Sequence, residues 1–449
     1  MKTLQIILVI LCFQLSIQIQ AQSKKQTIDS SHVHPVAFES ITSFADLEPL
    51  LPLFAGKKVI GAGEASHGAS EFFKLKAKLF VFLSTRANVN HFGIEADYGG
   101  CLYIDDFVRS GKGHVDSVMK HLSILFWHNT ELRELILWMR KQNENRSAED
   151  KLGFFGFDMQ NPYYAFDYLS NFIRKNAPEI SHSLDSIFLA KSFSRKLIYD
   201  SYNPKLRDSI TTIFYTLCDH LDNWFSQNRE MLKSKFDETK FQQLDMCRIT
   251  FRQGCKNREA IGKNNYNCRD SCMAENVLMV TNKSPNRTFL WAHNGHINHK
   301  ALSYNRSVKP MGEHLKEKLN DQYYSIGFKF HEGSFLAVKG SSSVTQRLWR
   351  RAFNSTSRSG LQEIYLPPMH STSFSARLAQ FDMPSFFVNL NETKDEVFGI
   401  SQAAYDVGAV FMNTRRCIFP FTPKKMFDGL LFVKKISPAH LLTMTTPHK

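Results

Sequence analysis

The sequence predicts an α/β fold: a mostly parallel central sheet flanked by helices, with a large helical insertion between strands. Three observations carry that prediction. Short apolar runs alternate with amphipathic stretches of helical period. Four of the apolar runs end in ionisable residues, as strands do when their carboxyl ends face one cleft. A long charged stretch of helical pattern separates the third run from the fourth. Composition agrees. The chain has 449 residues, 43% hydrophobic and 22% charged, which is ordinary for a globular protein and excludes general disorder. No apolar run of about 18–20 residues follows residue 25, which excludes a multi-spanning membrane protein.

From the N-terminus, Lys2, the apolar stretch from Leu4 to Ile17 and Ala21 read as a secretory signal peptide, residues 1–21, cleaved after Ala21. The protein is then expected to be exported, to a periplasm or to the medium. Cys12 has no small neighbours, which argues against lipoprotein attachment. Residues 22–35 are polar and expected to form a loose tail. One domain is expected over residues 36–440. It opens with a helix in residues 41–54, capped by Ser43 or Asp46. The first strand lies in Lys57–Glu64. Phe72, Leu75, Leu79 and Leu83 then share one side of a helix over Glu71–Leu83. The second strand is His91–Asp97, and residues 101–145 read as helical. The third strand is Lys151–Asp158. The insertion covers about residues 160–285, and the fourth strand is Arg287–His293. Further strands are expected at Tyr323–Phe330, Ser334–Val338, Phe386–Leu390 and Gly429–Val433. Residues 339–380, rich in Ser and Arg, are expected to be long loops.

The formal net charge is +14, with Lys and Arg dispersed along the chain. No RNA- or DNA-binding motif is present, so no nucleic-acid partner is expected. The charge reads as a solvated surface suited to peripheral association with an anionic cell envelope. Seven cysteines follow the signal peptide. In an exported protein some pairing is expected, and the odd number leaves at least one thiol over. Cys268 and Cys272 share a helix face but lack the further Cys or His at short spacing that a zinc site needs.

The candidate site comes from where ionisable residues fall. Glu64 and His67 follow the first strand, Glu95 and Asp97 end the second, Asp158 ends the third, and His293 and His296 follow the fourth. If those strands are parallel and adjacent, these side chains meet on one rim. A His beside a carboxylate can draw a proton from water, and the carboxylate stabilises the imidazolium that results. A second His or a basic side chain can stabilise the oxyanion formed when water adds to an ester carbonyl. Neither G-x-S-x-G nor H-E-x-x-H occurs, so hydrolysis by water without a protein nucleophile fits best. A different reading uses the same His and Glu residues to hold zinc, iron or haem in a non-catalytic protein.

Several blocks of the sequence resemble the erythromycin esterase family. They are Gly63-Glu64-Ala65-Ser66-His67-Gly68, Glu71-Phe72-Phe73 with Lys76, Lys78 and Leu79, and Ile94-Glu95-Ala96-Asp97. Phe155-Gly156-Phe157-Asp158-Met159-Gln160, Arg269-Asp270 with Met273, Ala274 and Asn276, and Trp291 to Ile297 follow in order, then Tyr324–Gly327 and Phe427–Leu430. The resemblance spans about residues 40–435. It implies an esterase that opens a macrolide lactone with water, on an α/β core with helical additions and without a metal or other cofactor. It implies His67 as general base, Glu64 as the residue that holds and polarises it, and Glu95 and His293 at the other acid–base positions. Lys76 falls where the family commonly has Arg, and lacks that residue's planar fork. His296, Asp97, Asp158, Arg269 and Trp127 are expected to contact the substrate. Leu125–Glu131 also resembles a family stretch and reads either as cleft lining or as an aromatic core helix.

Overall fold

A strand covered on both faces is apolar along its whole length, and the inner strands here are of that kind. The computed structural model describes residues 28–261, 265–282, 286–300, 308–340 and 360–442. The expected signal peptide lies outside the described residues. The strands are β1 (Val33–Pro35), β2 (Val59–Ala62), β3 (Val89–Asp97), β4 (Gly153–Asp158), β5 (Arg287–Trp291), β6 (Tyr323–Lys339), β7 (Leu361–Leu366), β8 (Ser385–Asn389), β9 (Gln402–Tyr405), β10 (Val410–Phe411), β11 (Ile418–Phe421) and β12 (Gly429–Ile436). β2 and β4 are buried at every position. Neighbours run β12-β6-β2-β5-β3-β4, all parallel, with β8 antiparallel on β12 and β1 antiparallel on β8. β9 and β11 form a separate antiparallel pair. The four strands expected to converge are therefore adjacent and parallel, and their carboxyl ends share one edge.

Each face of the sheet has its own core. On one side Phe289 and Trp291 of β5 and Phe154 of β4 pack under helix α1 (Ser70–Arg86) and its neighbours α2 (Tyr98–Ser110) and α3 (Thr130–Gln142). Phe72 meets Phe328, Phe73 meets Trp291, and Phe80 meets Phe289, with ring centroids 5.6, 5.0 and 5.8 Å apart. On the other side Phe155, Phe157 and Leu290 pack under the expected insertion. Its main helices are α4 (Pro162–Asn176), α5 (Arg207–Lys235), α6 (Glu238–Glu259) and α7 (Asn265–Asn282). Among the described residues no helix is long and apolar enough to cross a membrane.

Several sequence expectations are corrected. Residues 41–54 hold only a 3-10 turn, Glu48–Phe54, with no side-chain cap. Pro49 and Pro52 supply no N–H for a longer helix, and Asp46 is occupied by Lys78 and by the backbone N–H of Ala37. The end of the expected tail is ordered: a turn at Ser30–His32, which Asp29 caps, leads into β1 on the sheet edge. The helical reading of 101–145 is interrupted at Gly111, whose φ is 71°. The strands expected at 323–330 and 334–338 are one strand, β6. It exchanges β12 for β7 at Gly333, where φ is 129° and a β-carbon would fall 2.1 Å from the Ile436 carbonyl oxygen. Residues 339–380 are not all loop, since β7 and the short helix Phe374–Leu378 lie there; residues 341–359 are outside the described residues. All seven described cysteines are free thiols rather than paired.

Candidate active site

The loop that leaves β2 is held from three directions. The Gly68 carbonyl accepts from the N–H groups of Leu336 and Ala439, at 3.0 and 2.9 Å, and the Ala65 carbonyl accepts from Val407 at 2.6 Å. A β-carbon on Gly68 would sit 2.0 Å from the Leu336 carbonyl oxygen, so glycine is the only residue that fits. The loop turns Glu64 inward, fully buried, and leaves the His67 side chain 12% exposed. Glu64 Oε1 lies 2.6 Å from His67 Nδ1, while Oε2 takes Lys76 Nζ and, at 3.2 Å, Trp291 Nε1–H. Burial opposes ionisation of Glu64, yet Lys76 and His67 hold its pKa below the ordinary value. Burial lowers Lys76 to about 8, against the pull of Glu64. The Lys76 ammonium also lies 4.0 Å from the centroid of the Trp291 ring.

A second relay of the same kind faces the first. His293 N-caps the short helix Asn294–Ile297, its Nδ1 accepting from the Gly295 N–H at 3.1 Å, which leaves the proton on Nε2. Nε2 lies 3.0 Å from Asp406 Oδ1, an oblique approach that falls short of a well-aligned hydrogen bond. Asp406 Oδ2 accepts from Lys329 Nζ at 2.6 Å and from Asn294 Nδ2 at 3.2 Å. Burial disfavours the charge of Asp406, but Lys329 and His293 hold its pKa well down. The sequence thus builds Lys76–Glu64–His67 and Lys329–Asp406–His293, with the two imidazole centroids 5.2 Å apart.

Behind them lies an ion cluster. Arg269 Nη2 donates to Glu95 Oε1 and to Asp158 Oδ2, both at 2.7 Å. Glu95 Oε2 accepts the His293 N–H at 2.9 Å. His296 sits between Asp270, 3.0 Å from its Nδ1, and Glu95, 3.3 Å from its Nε2. Burial alone would lower the pKa of His296; Asp270 and Glu95 raise it to about 10. Burial likewise opposes the charge on Glu95, and His296 and Arg269 hold it well below the ordinary value. Arg269 Nη1 also approaches His296 Nε2 to 2.9 Å, a contact that is a hydrogen bond whenever Nε2 carries no proton. Asp97 is raised to about 7 by burial and by Asp158.

A cavity of about 400 Å³ opens over this arrangement. His67, Glu95, Trp127, Arg269, His293 and His296 line it, so six of the expected residues share one wall. The other four stand behind them. Lys76 and Glu64 support His67, Asp158 is taken by Arg269, and Asp97 accepts from the Asn161 N–H at 2.8 Å. Trp127, on the 3-10 turn Leu125–Trp127, lines the cavity but is fully buried, donating to the Glu95 carbonyl at 3.1 Å, so both sequence readings of that stretch hold in part. Asp406, Lys329, Asp270 and Arg258 were not expected. Lys329 carries a signal, a lysine inside an apolar strand. Asp406 carries none, a single Asp in a short loop. Among the described residues no group of three His, Cys, Asp or Glu surrounds a common metal position.

Comparison with known proteins gives the family of the chain. Erythromycin esterase type II of Escherichia coli is 24% identical over 320 residues, covering 66% of this chain and 74% of that protein. A putative hydrolase of Bacillus subtilis strain 168, YbfO, is 22% identical over 476 residues, 98% of each chain. The crystal structure of a succinoglycan biosynthesis protein superposes with a TM-score of 0.73 at 20% identity, over 92% of this chain and 97% of that one. A mutant of the erythromycin esterase EreC in its open conformation superposes with a TM-score of 0.64 at 17% identity, over 90% and 96%. Both show a shared fold. The erythromycin esterase family model matches residues 85–436, beginning after Glu64, His67 and Lys76, whose placement rests on the geometry above. With most of its length inside that match, the chain belongs to the erythromycin esterase family.

Proposed function

We propose that the protein hydrolyses a carboxylic ester by adding water, with His67 as the general base and a macrolide lactone as the substrate class. One observation carries the chemistry. His67 binds buried Glu64 through Nδ1, which leaves Nε2 as its free basic nitrogen in the wall of the cavity. Water gives a proton to His67 Nε2 as its oxygen adds to the carbonyl carbon. Glu64 stabilises the imidazolium, and Lys76, which does not line the cavity, positions Glu64. His293, in the same cavity wall with its ring centroid 5.2 Å from that of His67, stabilises the oxyanion. As the tetrahedral adduct collapses, the C–O bond to the alkoxide breaks and His67 returns its proton to the leaving oxygen. The products are a carboxylic acid and an alcohol, one molecule in the case of a lactone. Family membership supports the ester class, and relatives carrying the erythromycin esterase name support the macrolide.

Incubation with erythromycin, followed by mass spectrometry, tests the substrate: ring opening adds one water. His67→Ala is expected to lose about 10²–10⁴-fold in kcat; a loss under tenfold would remove His67 as the base. Export through residues 1–21 belongs to the same proposal. The N-terminal residue of protein recovered from the periplasm or the medium would be Gln22, and an intact Met1 there would refute cleavage. The basic surface is suited to contact with an anionic envelope, which sedimentation with anionic vesicles at low and high salt would test.

A further inference from the structure

Arg258 and Arg269 both line the cavity, and they differ in how their donors are used. Arg269 is saturated by Glu95 and Asp158. Arg258, on α6, is 4% exposed. Its Nη2 donates to the Gln160 carbonyl, while Nε and Nη1 are buried without a partner. Among the described residues no carboxylate lies within ion-pair distance of it, and Asp97 is near enough only to feel its charge. Its guanidinium lies 4.2 Å from the centroid of the Tyr202 ring, which fixes the plane of the fork. Asn257 beside it is 5% exposed and lines the same wall, and its Oδ1 also lacks a partner; a carboxamide can present either end to a ligand.

A buried guanidinium with open donors is costly unless something accepts from them. The carboxylates lining the cavity are Glu95 and Asp406, and both are committed to cations. Exposed Arg416 adds a further cation to the lining. Among the described residues the cavity therefore has spare positive donors and no spare negative charge. From this we infer that Arg258 anchors an anion on the substrate, so that the enzyme selects esters carrying a carboxylate or a comparable anionic group over neutral ones. The inference rests on the ester-hydrolase reading alone, without its macrolide, and sets the substrate by charge.

The test pairs two esters of matched length, mono-4-nitrophenyl adipate and 4-nitrophenyl hexanoate, with adipate itself as a binding probe. In the wild type the adipate ester is expected to show a kcat/KM about 10–100-fold above that of the neutral ester, the scale of hydrogen bonds to a charged group. Arg258→Met should cut that ratio at least tenfold, and Arg258→Lys, which keeps the charge but loses the fork, should fall between. Adipate should raise the Tm of the wild type and leave that of Arg258→Met unmoved. Equal kcat/KM for the two esters in the wild type would overturn the inference while leaving the esterase reading intact. If neither ester is turned over but adipate stabilises the wild type alone, the anion site stands and the esterase reading falls. No turnover and no stabilisation by adipate would overturn both. Should Arg258→Met fail to fold, the wild-type ratio and the Arg258→Lys variant still decide.

Discussion

Glu64→Gln separates the proton chemistry at His67 from the fold. The substitution keeps the volume of a fully buried side chain and removes one charge. The 2.6 Å contact with His67 Nδ1 puts the charge centres of an imidazolium and this carboxylate about 4 Å apart. At an effective dielectric of about 20, such a pair is worth about 4 kcal/mol. That attraction is complete only when His67 holds the proton taken from water, so its loss falls on the transition state. Lys76 limits the damage: burial already holds it near 8, and without Glu64 it falls further and discharges at neutral pH. We expect a net loss of about 3–4 kcal/mol, roughly 10²–10³-fold in kcat. KM should move less than about threefold, because Glu64 does not line the cavity. Breaking a buried pair costs about 3–5 kcal/mol of stability, and discharge of Lys76 keeps the cost near the lower end. The assay is kcat and KM on the ester that the wild type hydrolyses fastest, with thermal unfolding alongside. The double variant Glu64→Gln/Lys76→Met should recover stability but not rate. Retention of more than a fifth of wild-type kcat by a folded Glu64→Gln protein would refute the relay.

Further outcomes follow from the same geometry. Asp406→Asn should lower kcat about 10-fold or more by loosening His293 and leaving Lys329 buried without its carboxylate; wild-type kcat would remove His293 from the oxyanion position. Asp97→Asn should raise Tm at pH 8, because burial and Asp158 raise the folded Asp97 from 3.8 to about 7; the gain should shrink as pH falls below about 7 and vanish below about pH 4, where the side chain is protonated in the folded and unfolded chain alike. For His296, a folded pKa of about 10 lies above the unfolded value of about 6.5. Its contribution is complete below about pH 6.5 and is lost as pH rises through about 10, so His296→Asn should flatten the decline of Tm over that window; an unchanged slope counts against the charged imidazolium. Dialysis against a chelator should leave kcat unaltered, and a loss restored by zinc or iron would revive the metal reading.

How much of this was readable in the sequence depended on the range of each interaction. Strand runs such as Gly153–Asp158 and the apolar side of α1 are local patterns, and they appeared where expected. Adjacency of β2, β5, β3 and β4 was a conditional expectation that sheet pairing met. Glu64 and His67 were accessible because they lie three positions apart just past a strand end, and Lys76 came in only through the family resemblance. The relay through Asp406 was not. Its members come from β6, a loop after β9 and the loop after β5, brought together only by tertiary packing. The helix expected at 41–54 failed for a local reason, Pro49 and Pro52, which the apolar spacing outweighed. Asp97 and Asp158 were expected to touch substrate because strand-end carboxylates often do; here cations and backbone N–H groups reach them first.

The clasp on the β2 loop has a consequence for the order of events in the life of the chain. Gly68 waits for Leu336 and Ala439, Ala65 waits for Val407, and His293 waits for Asp406. A chain still emerging from the ribosome owns His67 and Glu64 from the start but lacks the C-terminal contacts that fix the loop between them. Only when the last strand and the residues after it have docked does the first motif acquire its shape. On the proposed chemistry, hydrolysis is thereby reserved for finished molecules: the N-terminal half would supply the reagent, and the C-terminal end would decide when it is live.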